Sequence, residues 1–230
     1  MDGNLSAAAC VFAADGAAGI LAGTAVLSYF LGCFNGAVLI SKYILHDDIR
    51  THGSGNAGLT NFYRVFGGNL TLVVILTDFF KALIAIALSV LLARGAVADP
   101  AGLIFVKYWA GLFCLLGHMF PCMFRFRGGK GILSGGAMTL AIDWRIALVV
   151  WVIFFTLAIV TKYVSLGSVC CAAAFPVSTW FVYHDGTLLA LAAITGGLVI
   201  WQHRGNVRRL MSGTESKFKF HHHEKTEGQK

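Results

Sequence analysis

Charged side chains are scarce in this chain. Only 13% of its 230 residues are Asp, Glu, Lys or Arg, about half the share usual in a soluble domain. Acids are the rarer kind, 11 against 18 basic residues, for a formal net charge of +7. With 57% hydrophobic residues and a mean hydropathy of +0.73, too little polar sequence remains to cover the apolar blocks in water. The beginning also lacks the basic region of a secretory leader, because Asp2 and Asp15 are the only charges before Lys42. The first apolar block therefore reads as a retained span. The six cysteines Cys10, Cys33, Cys114, Cys122, Cys170 and Cys171 form no CxxC pair. They read as small apolar packing residues rather than metal or redox ligands.

What fills the chain is a series of apolar blocks, at 17–44, 70–93, 102–120, 146–161, 164–183 and 187–201. Most approach the roughly 20 residues that cross a bilayer as a helix. A seventh block, Ile132–Ile142, has 11 residues and would cover only about 16 Å as a helix. Counting it as a crossing puts Lys42, Arg50, Arg64, Arg125, Arg127, Lys130, Lys162 and the seven basic residues after 201 on one side. That side then holds 14 of the 18 Lys and Arg, and the other side only Arg94 and Arg145. The positive-inside rule makes the rich side cytoplasmic. The expected fold is all-α, a polytopic integral membrane protein of about seven transmembrane helices. Its N-terminus lies outside and its C-terminus in the cytoplasm. The expected division is an N-terminal extension over 1–18, one transmembrane domain over 19–212 and a polar tail over 213–230.

Three glycine-rich, basic knots interrupt the apolar sequence, all on the cytoplasmic side of that topology. The first is GSGNAGLTN, with Gly53, Ser54, Gly55, Asn56, Gly58, Thr60 and Asn61, followed by Arg64. Such a run can turn backbone N–H groups inward around an anion, and Arg64 can grip phosphate with a charged fork. The alternative is an ordinary connecting loop. The second is FRGGKG, where Gly128, Gly129 and Gly131 surround Lys130. It is no P-loop, because Ile132 stands where Ser or Thr would reach magnesium. Attraction to anionic lipid would explain it equally well. The third is HRGNVRRL, where His203 and Asn206 are three apart and could orient a hydroxyl or accept its proton. Headgroup solvation is the competing reading.

Ser165 and Ser168 open a span on the same side and can cap it or hold a phosphate oxygen. Asp78 and Lys81 read as an intramembrane ion pair. His118 reads as packing or hydrogen bonding at a span end, or as chemistry, with equal weight. His221–His223 have no spaced partner, and neither metal nor cofactor is expected.

The knots lack a GxSxG elbow, an HExxH pair and an HxxxxD pattern, and Asp47 and Asp48 read as the only acids near them. A site rich in anion donors and poor in nucleophiles favours a substrate that brings its own leaving group. A permease for a phosphorylated solute would also use many spans, but its ligands belong near the midplane rather than at one face. A lipid-binding scaffold without chemistry is the third reading.

The ordered set DIRTHGSGNAGLTNFYR, LGHMFPCMFRFRGGKG, YVSLGS and HRGNVRRLMSGTE resembles the bacterial acyl-phosphate:glycerol-3-phosphate acyltransferase family, over roughly 25–215. The resemblance implies a seven-helix enzyme of phospholipid synthesis in the cell inner (plasma) membrane, open to the cytoplasm. It implies transfer of a fatty acyl group from acyl phosphate to the sn-1 hydroxyl of glycerol 3-phosphate. The products are lysophosphatidic acid and inorganic phosphate. The implied partners are these two substrates and membrane lipid, without nucleic acid. The implied catalytic set is Lys130, His203, Asn206, Ser54 and Arg64. The implied phosphate-binding set is Gly53, Gly55, Asn56, Gly58, Thr60, Asn61, Gly128, Gly129, Gly131, Ser165 and Ser168. The family's GGKGVAT reads Gly-Gly-Lys-Gly-Ile-Leu-Ser here, a change among packing residues that leaves the charge in place.

Overall fold

The computed structural model describes residues 6–14, 16–97 and 99–218, and the reading of His221–His223 lies outside them. Among the described residues there are eleven α-helices and no strand. In chain order they are α1 (Ala7–Phe12), α2 (Ala17–Cys33), α3 (Gly36–Tyr43), α4 (Leu59–Val65), α5 (Leu70–Ala93), α6 (Pro100–Met119), α7 (Ile132–Ile142), α8 (Trp144–Thr161), α9 (Val164–Tyr183), α10 (Gly186–Gln202) and α11 (Arg204–Met211). Helices α5, α8 and α9, and α6 with the turn that follows it, are long and apolar enough to cross a membrane. The pairs α2–α3 and α10–α11 reach that length together but bend by 43° and 60°. Helix α7, at 11 residues, does not reach it alone.

The ends of the helices follow local chemistry. Asp99 caps α6 ahead of Pro100, Asp143 caps α8 through the Arg145 N–H, and Asp185 caps α10 through Thr187 and Leu188. The same Asp185 carboxylate accepts the Ala7 N–H at 2.7 Å, which ties α1 to the start of α10. The block 17–44 expected as one span is broken at Phe34. Asn35, buried inside the apolar run, accepts the Val38 N–H and starts α3 as a new helix.

Helix α6 is the centre of the bundle and packs against α1, α2, α5, α7 and α10. Phe105, Tyr108, Leu115 and Met119 of α6 lie in one core with Met138, Ile146 and Leu188. The Tyr108 hydroxyl pairs with Thr179 at 2.9 Å. The outward faces of α5 and α8 are bare aliphatic surface, with Leu91, Leu92, Ile159 and Val160 all exposed. Such faces suit lipid rather than water.

Helices α2 and α6 approach closely because glycine stands at both contact points. A Cβ at Gly32 would fall on the Cys114 carbonyl, and one at Gly117 on the Tyr29 carbonyl and 3.0 Å from the Cys33 nitrogen. Backbone cannot move aside as a side-chain tip can. Gly117→Ala is expected to cost about 1–3 kcal/mol of stability, read as a lower unfolding temperature in detergent. An unchanged temperature would mean that the helices are not in this register.

Candidate active site

The first knot is shaped by one side chain. Asn61, buried in α4, accepts the Ser54 N–H at 3.0 Å through Oδ1. Its Nδ2 donates to the carbonyls of Ile49, His52 and Asn56 at 3.3, 3.0 and 3.1 Å. Gly53 and Gly55 turn through the left-handed region, with φ of 57° and 69°. A Cβ at Gly53 would strike the Asn61 amide. The Gly55 N–H is bonded to the His52 carbonyl. Asn61 therefore holds the loop together, and several of the loop's own donors are used internally.

The second knot is laid against the end of α6. Arg125 and Phe126 both take positive φ, 57° and 56°, and reverse the chain. The Gly128 N–H then donates to Met119 and the Gly129 N–H to His118, both at 3.1 Å. A Cβ at Gly129 would strike His118 Nε2 and lie 2.7 Å from the Ala57 carbonyl. These glycines are required by close packing, and their donors face α6. Gly131, at φ 82°, starts α7. Arg50 joins the two knots, gripping Asp48 at 2.7 Å and donating to the Phe124 carbonyl at 2.8 Å.

Beneath both knots lies a buried polar cluster. The Lys81 ammonium donates to Asp78 at 2.7 Å, to His118 Nδ1 at 2.8 Å and to the Phe34 carbonyl at 2.9 Å. All three of its protons are thereby used. Asp78 also accepts the Gly36 N–H at 3.2 Å across the α2–α3 break. The Asn35 amide donates to the Ala57 carbonyl at 3.0 Å. The expected Asp78–Lys81 pair is present, and it ties α5 and α6 to the helix break that supports the first knot.

Above the cluster is an open cleft of ≈ 260 Å³. Its walls include Ser54, Gly55 and Asn56 from the first knot, Lys130 from the second, and Arg204, Asn206 and Arg209 from the third. All three knots thus meet at one place. Lys130 donates through Nζ to Asn206 Oδ1. Asn206 Nδ2 donates in turn to Glu215 Oε1 at 2.6 Å. Glu215 also accepts from the Ser165 hydroxyl at 2.7 Å and from Arg209 Nε at 2.7 Å. Burial raises the proton affinity of Glu215, but these three donors outweigh it and hold the carboxyl below its usual range. The sequence reading passed over Glu215. Its signal was that it is the only acid between His203 and Phe218, in a stretch with four basic residues.

Other expected site residues stand differently. The Ser168 hydroxyl donates to the Val164 carbonyl at 2.8 Å, within its own helix. Arg64 is exposed at the end of α4 and acts on Lys130 through its charge rather than by contact. Gly58 precedes α4, and Thr60 lies in its first turn. His203 sits buried at the 60° bend between α10 and α11. Its Nδ1 lies 2.8 Å from the Val199 carbonyl, which can only accept, so the ring carries a proton there and Nε2 is the acceptor.

Lys130 is half-buried, and burial together with the positive charges of Arg209 and Arg64 lowers its pKa to about 8, against the opposing pull of Glu215. Below pH 8 the ammonium is charged, and above it the amine is neutral. If the charge holds substrate phosphate, kcat/KM at limiting glycerol 3-phosphate stays level below about pH 8 and falls about tenfold per unit above it. Lys130→Arg, charged throughout, abolishes that fall. An alkaline limb unchanged in Lys130→Arg would assign the titration to another group.

The sequence model of the family described as glycerol-3-phosphate acyltransferase matches residues 22–213. The chain belongs to that family. It is 38% identical over 196 residues to a glycerol-3-phosphate acyltransferase of Fusobacterium nucleatum, covering 85% of this chain and 96% of the relative. It is 34% identical to one of Pseudomonas aeruginosa, covering 84% and 97%. Among solved structures it is similar to PlsY, an integral membrane glycerol 3-phosphate acyltransferase. The glycerol 3-phosphate form superposes with a TM-score of 0.76 at 29% identity, covering 86% of this chain and 96% of that one. The lysophosphatidic acid form gives 0.73 at 28% identity, covering 86% and 95%. The match takes in every element that lines the cleft, so this chain is a glycerol-3-phosphate acyltransferase of phospholipid synthesis.

Proposed function

We propose that the chain transfers a fatty acyl group from acyl phosphate to the sn-1 hydroxyl of glycerol 3-phosphate in the cell inner (plasma) membrane. The cleft faces the cytoplasm. The observation that carries this reading is the meeting of Lys130, Arg204 and Arg209 with Ser54 and Asn206 around one open cleft beside apolar helices. Cations and small polar groups suit phosphate, and the bare faces of α5 and α8 suit an acyl tail in lipid. The four long spans and the two bent pairs give six crossings, and taking the short α7 as one more makes seven. Eleven of the described Lys and Arg then fall on the cleft side against Arg94 and Arg145 opposite, which supports a cytoplasmic cleft.

The donor's phosphate lies against Ser54, Gly55 and Asn56, with Ser165 and Ser168 nearby. The acceptor's phosphate lies against Lys130, with Arg209 and His203 close by. The acceptor's sn-1 hydroxyl oxygen attacks the acyl carbonyl carbon. The bond from that carbon to the phosphate oxygen breaks, and the departing phosphate takes the hydroxyl proton. Lysophosphatidic acid and inorganic phosphate result. A mixed anhydride is reactive enough to need no enzyme nucleophile. Asn206, and His203 through its acceptor Nε2, orient the hydroxyl. Glu215 holds Asn206 and Arg209 in place rather than touching the reacting atoms.

Purified protein given acyl phosphate alone is expected to release no burst of phosphate and to gain no acyl mass by intact mass spectrometry. Adding glycerol 3-phosphate should start both products together. A stoichiometric burst with acylated protein would overturn direct transfer. Phosphate release indifferent to the acceptor would overturn the assignment of this cleft to the transfer.

A further inference from the structure

A second crevice, of ≈ 420 Å³, opens at the opposite end of α5 from the knots. Leu83, Ile86 and Val90 of α5 and Ala141 of α7 form its apolar wall. Arg94 follows Leu83 by eleven helical steps, about 16 Å, which is the scale of an extended fatty acyl chain. Two cations close the far end: Arg94, exposed just past α5, and Lys107 of α6. Lys107 Nζ lies 3.3 Å from the Ile142 carbonyl, at the last turn of α7.

Among the described residues neither cation forms an ion pair. Asp143, an acid whose charge reaches Lys107, is engaged by Arg145 at 2.8 Å and by the Tyr183 hydroxyl at 3.1 Å. Exposed Leu91 leaves the rim of the crevice open to the side rather than roofed by protein. An apolar trough open to lipid, ending in two cations that form no ion pair among the described residues, is complementary to one kind of molecule. That molecule has an aliphatic chain and a phosphate that keeps a net negative charge.

We propose that this crevice binds one anionic phospholipid from the leaflet opposite the catalytic cleft. Its phosphate lies between Arg94 and Lys107, and an acyl chain runs along Leu83, Ile86, Val90 and Ala141. A zwitterionic lipid brings its own cation to the phosphate and gains less from the pair. The proposal rests on the transmembrane reading and not on the assignment of the reaction. The two ends are far apart, so occupation of this crevice is distinct from substrate binding.

The test is native mass spectrometry of the purified full chain in detergent, titrated with phosphatidylglycerol or phosphatidylcholine. The wild type should retain phosphatidylglycerol in preference. Arg94→Gln should weaken that retention about fivefold, and Arg94→Gln/Lys107→Gln more than tenfold. Phosphatidylcholine retention should be unchanged in both. Lys130→Ala should leave the preference intact. Equal retention of the two lipids by the wild type would overturn the proposal, as would an undiminished preference in Arg94→Gln. A preference lost in Lys130→Ala would place the lipid in the catalytic cleft and overturn it too. Should the double variant fail to fold, Arg94→Gln decides alone, because an exposed residue beyond a helix end is not needed for packing. Acyltransferase turnover of Arg94→Gln in detergent should equal that of the wild type, whichever way the lipid result falls.

Discussion

Lys130→Ala is expected to lower turnover about 10²–10³-fold at limiting concentrations of both substrates, the usual effect of removing one well-placed charge from a reacting centre. Lys130 is the only basic side chain of the second knot that lines the cleft. It is also the donor that fixes Asn206 Oδ1. On the proposed assignment its loss removes a phosphate contact and frees the Asn206 amide. The fold should survive, since Lys130 lies in a loop and the knot is held by the Gly128 and Gly129 bonds to α6. An unfolding temperature near that of the wild type with turnover collapsed is the expected pair of results. A purified Lys130→Ala protein with wild-type turnover would contradict this role.

The second large effect lies in the buried cluster. Lys81→Met would strip the Asp78 carboxylate, 2% exposed, of its ammonium partner and leave only the His118 ring, 3.7 Å away, beside it. His118 Nδ1 and the Phe34 carbonyl would lose their donor at the same time. Breaking a buried pair from one side costs about 3–5 kcal/mol, because the remaining charge has no compensation. The loss should appear as a much lower unfolding temperature in detergent. Asp78→Leu/Lys81→Met, which removes both charges, should recover a large part of it. An equal loss in the single and double variants would mean that the pair matters for its shape and not for its charge.

Much of the fold was legible because apolar length carries most of the information in such a chain. The blocks 70–93, 132–142 and 164–183 end where α5, α7 and α9 end, since glycine, charge or a capping residue bounds each one. The break between α2 and α3 was not visible in hydropathy. It depends on Asn35, one polar residue whose amide reaches Ala57 far along the chain. The same limit applies at the knots. Glycines read as phosphate cradles, but Gly128 and Gly129 are small because α6 lies against them, a contact between distant segments. Asn61 was legible as part of its knot, but its bonds to the loop that it shapes were not. Glu215 was overlooked because its partners Ser165 and Asn206 meet it only after the chain bends back past α11. Charged side chains that line the cleft, Lys130 above all, were the easiest to pick out in the sequence.

The most direct measurement is product formation by the purified chain with glycerol 3-phosphate and three donors: acyl phosphate, acyl-CoA and acyl-acyl carrier protein. The expected result is lysophosphatidic acid and inorganic phosphate in equal amounts from acyl phosphate, and no product from either thioester. Absence of lysophosphatidic acid with acyl phosphate, or comparable transfer from a thioester, would contradict a cleft built to hold a phosphate leaving group.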